Sequence, residues 1–317
     1  MTHAIIAESV AALELLRGKF AATRLVRSPR LSEQLGIGIH LKIESELPTG
    51  SFKVRGAYYS LWKQHQRESV TEVVAASTGN HGAAVAWAAR ELGIKARVFV
   101  PVGANAVKTG RIKALGATLS ETGADIEAAR RAAEAHAAST GAMVLDDATS
   151  SEVPIGAATI AVEVLDQLPT CATIVVPVGD SALIRGVASA AKAIAPNVVI
   201  VGVQAANAPA YYESWRSGRV VTTETANTMA DGLATTTPTP YNVEAVRALV
   251  DQMTLVSEDE MLAAMRLLRE TDSLIAEPAS AAAVAAIRAR KGTLSSPVVA
   301  LITGGNVAPE IEARLNG

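Results

Sequence analysis

The sequence contains one cysteine, Cys171, so neither an internal disulfide nor a cysteine-based metal cluster can form, which fits a reducing compartment. Aromatic residues make up only 3%, too few for the stacking platforms that bind single-stranded nucleic acid. Neither sign of charge dominates: the formal net charge is -2 and the basic residues are dispersed, leaving no footprint for a polyanion. No stretch offers about 18 uninterrupted apolar residues, so no membrane span is expected. Residues 5–16 are apolar-rich but carry Glu8 and Glu14, without the basic region and long apolar run of a targeting segment. The cytoplasm is therefore the expected location. What is present is 49% hydrophobic and 19% charged, in a chain of 317 residues. That is enough to bury a sizeable core, as two modest domains or one large one.

Along the chain, short apolar runs alternate with alanine-rich segments of helical period. After a helix over 4–17 and a strand over 40–44, a run with helical character covers 52–62. Strands are then predicted at 73–76, 96–100, 117–119 and 142–145, with helices at 79–92, 104–115 and 125–138 between them. A second set follows, with helices over 155–168 and 183–194 and strands over 173–178 and 198–204. The threonine-rich segment 205–257 is less regular. Helices over 258–270, capped by Ser257, and 278–289 lead to a last strand over 298–302. The pattern predicts an α/β fold with two lobes, each a mainly parallel sheet covered by helices.

Lys53 lies in a distinctive stretch, Pro48-Thr49-Gly50-Ser51-Phe52-Lys53-Val54-Arg55-Gly56. The first three residues predict a turn, and Ser51 stands where a helix N-cap would stand. Lys53 then falls in the first helical turn, where the positive end of the dipole disfavours a cation, and Arg55 acts in the same direction. Both push the lysine towards the neutral amine that a Schiff-base lysine needs, although an ordinary surface lysine reads the same way in isolation. In parallel sheets, sites form in the loops after the strands. Three such loops are notable. Ser77-Thr78-Gly79-Asn80-His81-Gly82 exposes backbone N–H groups at a helix start and suits a carboxylate. Val178-Gly179-Asp180-Ser181-Ala182 suits a phosphate only if the Asp180 carboxylate points away; otherwise it is a helix cap. Thr303-Gly304-Gly305-Asn306 permits close backbone approach to a ligand.

Together with Glu277-Pro278, these stretches resemble, in order, the fold-type II pyridoxal-phosphate enzymes, and within them the threonine/serine dehydratase and serine racemase family. The resemblance runs from Thr23 to Asn306. It implies pyridoxal 5'-phosphate as cofactor, carried by Lys53, which also acts as the base on Cα, with Phe52 packed nearby. It implies that Ser77, Thr78, Gly79, Asn80 and His81 bind the substrate carboxylate, and that Asn80 also meets the cofactor's phenolic oxygen. It implies further that Gly179, Asp180, Ser181 and Ala182 form the phosphate loop and that Thr303 meets the pyridine nitrogen. A neutral hydroxyl there makes the ring a weaker electron sink than an aspartate partner would. That suits rapid expulsion of a β-substituent: loss of water from a threonine- or serine-like β-hydroxy amino acid, giving a 2-oxo acid and ammonia. The implied domains are 1–68 with 148–317 for the cofactor and 69–147 for the substrate carboxylate, in a homodimer.

This sequence also departs from the family pattern. Only Gly179 remains of a glycine-rich phosphate loop. Gln204 and Ala210 stand where the family places a metal-binding glutamate and aspartate, so no metal is expected, and chelator-treated protein should not be activated by magnesium. Thr78 carries a hydroxyl where many dehydratases have alanine and racemases have serine, so an amino-acid racemase is an alternative. The unusual 235–241 segment suggests a pocket for a larger substrate, such as a phenylserine-like or hydroxyectoine-derived compound. The chain ends soon after Asn306, so no isoleucine-type feedback domain is expected. A binding protein that kept the fold and lost catalysis remains the reading from a different class.

Overall fold

β-Branched runs too short for helices form the strands here, and the alanine-rich segments between them form helices that lie close over the sheets. The computed structural model describes residues 2–316. In chain order the elements are α1 (Thr2–Arg17), β1 (Leu25–Arg27), α2 (Pro29–Leu35), β2 (Ile39–Ile43), α3 (Lys53–Glu68), β3 (Glu72–Ala76), α4 (Asn80–Leu92) and β4 (Lys95–Val100). Next come α5 (Ala106–Ala114), β5 (Thr118–Glu121), α6 (Ile126–Thr140), β6 (Met143–Val144), α7 (Val153–Gln167), β7 (Thr173–Pro177), α8 (Ala182–Ile194) and β8 (Val199–Ala205). The last are α9 (Ala210–Ser217), α10 (Pro240–Leu249), β9 (Gln252–Val256), α11 (Glu258–Asp272), α12 (Pro278–Ala289), β10 (Val298–Ile302) and α13 (Pro309–Asn316). The segment 205–257, expected to be irregular, thus holds two helices and an edge strand. Ser257 caps α11 as expected, in a capping box with Glu260.

Among the described residues the strands form two sheets, ordered β1-β2-β10-β7-β8-β9 and β5-β4-β3-β6. The β1–β2 pair is antiparallel and the other pairings are parallel. The chain divides into two compact units, Met1–Phe52 with Ala157–Gly317, and Lys53–Gly156. The six-stranded sheet belongs to the larger unit and the four-stranded sheet to the smaller. Helix α3 and residues 148–156, expected with the larger domain, pack in the smaller unit. Side-chain packing accounts for this: the Tyr58 ring lies 5.7 Å from Trp87 of α4, and Ser60 Oγ is 3.3 Å from Ser150 Oγ.

The larger sheet is covered on both faces. Ile174, Val176 and Ile200 enter one core, while Val175, Val201 and Val203 enter the other. In the central strands β7 and β10 both faces are buried, which is why they read as continuous rather than alternating hydrophobic runs. One buried polar cluster interrupts this pattern. Lys42 of β2 donates to Glu163 Oε2 of α7 at 2.6 Å, to the Thr23 carbonyl at 2.8 Å and to Gln167 Oε1 at 2.9 Å. Thr23 Oγ1 in turn donates to Glu44 Oε1 at 2.6 Å. No helix among the described residues is long and apolar enough to cross a membrane.

Candidate active site

Lys53 is the first residue of α3, but Ser51 does not cap that helix as its position in the sequence suggests. Ser51 instead bridges to Gly304 in the larger unit, and its hydroxyl is buried without a hydrogen-bond partner. The Phe52 N–H donates to the Thr303 carbonyl at 2.9 Å, and Lys53 is the next residue in the chain. The lysine amine pairs with Asp147 Oδ2, in a position only 19% exposed. The helix dipole therefore does not act on this amine alone: a carboxylate beside it favours the ammonium.

Residues 77–81 form the turn from β3 into α4. The Ser77 N–H donates to the Phe99 carbonyl at 3.2 Å, and Ser77 Oγ accepts the Gly79 N–H at 3.2 Å. Thr78 lies between them, half-buried. Gly79 stands before the helix, and Asn80 and His81 are its first two residues, so the N–H groups here point away from any intrahelical acceptor and suit an anion. His81 is the informative member. Its Nε2 lies 2.9 Å from the Leu145 carbonyl and its Nδ1 lies 2.9 Å from Asp147 Oδ1. Both neighbours are acceptors, an arrangement that favours the doubly protonated ring. Burial pulls the His81 pKa down, but the charge and hydrogen bond of Asp147 outweigh it and hold it above the usual histidine value. Burial likewise pushes Asp147 up, yet His81 and Lys53 together hold its carboxyl well below the usual range. Asp147 is a site residue that the sequence reading missed. It sits in a short Asp146-Asp147 loop with no motif around it, and only the fold brings it to Lys53 and His81.

The other predicted residues, Phe52, Gly179, Asp180, Ser181, Ala182 and Thr303, belong to the larger unit. Thr303 follows β10 and is buried. The loop after β7 leads into α8, and a Cβ built on Gly179 would overlap the Gly232 carbonyl oxygen, so only glycine fits there. Ser181 takes the left-handed conformation (φ 72°), a strained position for serine, and its hydroxyl makes no capping bond. It accepts instead from Arg185 Nε at 3.2 Å. The Asp180 carboxylate is engaged by the Thr235 hydroxyl at 3.1 Å, and the Tyr241 ring lies 5.9 Å from the Arg185 guanidinium. The 235–241 segment, expected to shape a substrate pocket, is thus joined to the loop after β7 and to α8. Burial pushes the Tyr211 phenol up, against hydrogen bonds shared with Ser181 and Asn242, so the loop rests on a neutral tyrosine. Arg185 was also missed: in sequence it is one more basic residue in an amphipathic helix.

The pyridoxal-phosphate dependent enzyme family profile matches residues 16–304. The chain belongs to that family. It is 36% identical over 293 residues to an L-threonine ammonia-lyase of Geobacter sulfurreducens, covering 92% of this chain and 73% of the relative. It is 38% identical over 285 residues to an L-threonine ammonia-lyase of Thermotoga maritima, covering 90% and 71%. Among solved structures it is similar to maize serine racemase, with a TM-score of 0.91, 30% identity, and coverage of 98% of this chain and 95% of that one. The fold is that of the fold-type II enzymes, and the cofactor is pyridoxal phosphate.

The residues present fit that cofactor. A dianion needs charged or N–H donors, and the loop after β7 offers the amides at the start of α8, the Ser181 hydroxyl and the buried Arg185 guanidinium. The carboxylate that would oppose it, Asp180, is held by Thr235. Gln204, expected at the family's metal-ligand position, is fully buried, and its Oε1 accepts the Tyr212 N–H at 2.9 Å; Ala210 begins α9. Cys171 is buried and its thiol is pushed up to about 11 by burial, with the Thr173 carbonyl contact opposing, so it offers no reactive thiolate.

Proposed function

We propose that the protein is an ammonia-lyase that removes water from a serine- or threonine-like β-hydroxy amino acid and releases a 2-oxo acid and ammonia. The observation that carries this reading lies within the smaller unit. The Lys53 amine and the carboxylate-binding turn meet on one residue, Asp147, which contacts Lys53 on one oxygen and His81 on the other. An amino acid held by its carboxylate at residues 77–81 thus presents its Cα close to a lysine base. The bound cofactor supplies an electron-withdrawing ring that makes the Cα–H acidic. Lys53 holds the cofactor and takes the Cα proton. The N–H groups of Ser77, Thr78, Gly79, Asn80 and His81 hold the carboxylate, with the His81 charge adding to the attraction. The Thr78 hydroxyl hydrogen-bonds that carboxylate. In the larger unit Phe52 would pack by the ring, the loop Gly179–Ala182 would hold the phosphate, and Thr303 would meet the ring nitrogen as a neutral partner. That neutrality favours prompt expulsion of the β-hydroxyl over a long-lived carbanion. The reading includes a cytoplasmic homodimer, whose mass sedimentation of the purified chain would report.

A panel of L- and D-serine, threonine and larger β-hydroxy amino acids, followed for 2-oxo acid, ammonia and inverted amino acid, tests the reaction. Oxo acid and ammonia in equal amounts are expected. Inversion alone would replace the lyase reading with the racemase one, for which the Thr78 hydroxyl, a second proton donor in the turn, is the specific support. The phosphate loop makes a separate prediction. Arg185→Ala removes the cation that offsets Asp180, so cofactor affinity should fall by about tenfold to a hundredfold, with Arg185→Lys retaining most of it. Absorbance titration of the stripped protein with pyridoxal phosphate measures this, and unchanged affinity would remove Arg185 from the site.

A further inference from the structure

Asp147 is not needed for the loop in which it lies. Asp146 Oδ1 accepts the Ala148 and Thr149 N–H groups at 2.9 and 3.1 Å, and Ser150 Oγ accepts those of Glu152 and Val153 at 3.3 and 3.2 Å. These bonds close the turns on either side. The Asp147 carboxylate, whose side chain is only 6% exposed, contacts Lys53 with one oxygen and His81 with the other. His81 is itself fixed through Nε2 to the Leu145 carbonyl, and the Leu145 N–H is tied to the Val74 carbonyl of β3. The array is therefore anchored to the small sheet at one end and to the lysine at the other.

We propose that Asp147, braced by His81, is a positioning residue that receives the Lys53 amine as an ammonium whenever that amine is not bonded to the cofactor. The inference rests on the reading of Lys53 as the cofactor lysine. Its physical basis is the charge balance of the cluster. With Lys53 in place there are two cations around one carboxylate. When the amine leaves, the Asp147–His81 pair stays neutral overall, so no buried carboxylate is stranded; stranding one is the costly outcome for a buried ion pair. Were His81 absent, the departing lysine would leave Asp147 uncompensated, and the carboxylate would hold the amine back. His81 thus makes the grip of Asp147 releasable.

The charges that act on this pair come from two elements. Lys53 belongs to α3 and His81 to α4, and they are the charged side chains acting on Asp147. From α6, Arg130 lies 3.8 Å from Asp146, the neighbouring carboxylate. Glu152, just before α7, turns to Arg67 at 3.2 Å, and Arg55, two residues along α3 from the lysine, is fully buried. Attachment to the cofactor requires the ammonium to lose one proton to solvent. The amine nitrogen then bonds to the aldehyde carbon, and its oxygen departs as water. The pH at which attachment proceeds at half its maximal rate therefore reports how firmly the ammonium is held.

The test uses the full chain freed of cofactor by dialysis. It is mixed with pyridoxal phosphate across a pH series, trapped with borohydride and assayed for modified Lys53 by peptide mass spectrometry. Asp147→Asn removes the counter-charge and should move the midpoint down by about one pH unit or more. His81→Gln removes the opposing cation and should move it up. Asp147→Glu, which keeps the charge, should return the midpoint to near that of the unaltered protein. Shifts of opposite sign in the first two variants are the signature, and a merely structural role moves neither. Coincident midpoints for Asp147→Asn, His81→Gln and the unaltered chain would overturn the proposal while leaving Lys53 as the cofactor lysine. If the unaltered chain is never modified at Lys53, the reading of the lysine itself fails.

Discussion

Replacing Lys53 by alanine should abolish covalent attachment of pyridoxal phosphate and reduce turnover by about 10³-fold or more. The loss is large because one amine is asked to do two jobs, bonding the cofactor and moving the Cα proton, and no neighbour replaces it: His81 is spent on Asp147 and Leu145. Folding should survive. The substitution removes a partly exposed ammonium and leaves Asp147 paired with His81, so no buried charge is uncompensated. Borohydride trapping with peptide mapping and a single-turnover assay together measure the effect. Full turnover by the alanine variant would overturn the reading of Lys53 as the cofactor lysine and base. Visible absorbance lost together with the folded near-ultraviolet spectrum would show that the structural argument had failed instead.

The second large effect concerns stability. Lys42→Met should destabilise the protein by about 3–5 kcal/mol, because it leaves the Glu163 carboxylate buried without its cation. The Lys42 and Glu163 side chains are 0% and 2% exposed, and the ammonium also satisfies the Thr23 carbonyl and Gln167. The double variant Lys42→Met with Glu163→Leu should recover most of the loss, since a well-packed apolar pair costs far less than half an ion pair. Urea denaturation midpoints of the single and double variants measure this. A double variant no better than the single would show that the Thr23 and Gln167 bonds, and not the ion pair, hold this corner. The cluster joins β2 to α7, elements separated by more than a hundred residues in the chain. Its disruption would therefore loosen the larger unit, which carries the candidate phosphate loop.

Much of the candidate site is legible in the sequence because its parts are local. The lysine stretch, the Ser77–Gly82 turn and the Gly304-Gly305 turn are each contiguous runs whose residue types fit their backbone: small residues where N–H groups must be exposed, glycine where another backbone presses close. Gly305 illustrates this, since a Cβ there would come within 2.9 Å of the Ile275 carbonyl oxygen. Local reasoning went wrong where a side chain had two possible partners. Ser51 and Ser181 both stand at cap positions, yet neither hydroxyl caps; one is buried against the Gly304 strand end and the other takes the Arg185 guanidinium. The cap rule assumes a side chain free to turn to its own helix, and packing removed that freedom in both cases.

Sequence alone determined the α/β class, the family and its cofactor, and singled out Lys53 as the candidate lysine, because strand and helix periods and contiguous turns are properties of neighbouring residues. Tertiary structure decided what surrounds that lysine. Asp147 lies in a loop 94 residues further on, and nothing in its neighbours marks it. Its importance comes from β3, α3 and α4 converging on one point, where a carboxylate, an imidazolium and an ammonium share little water. Arg185 and Thr235 likewise reach the candidate phosphate loop only once α8 and the 235–241 segment pack together. Charge acts through space and its strength depends on burial, and neither separation nor burial is written in the order of the residues.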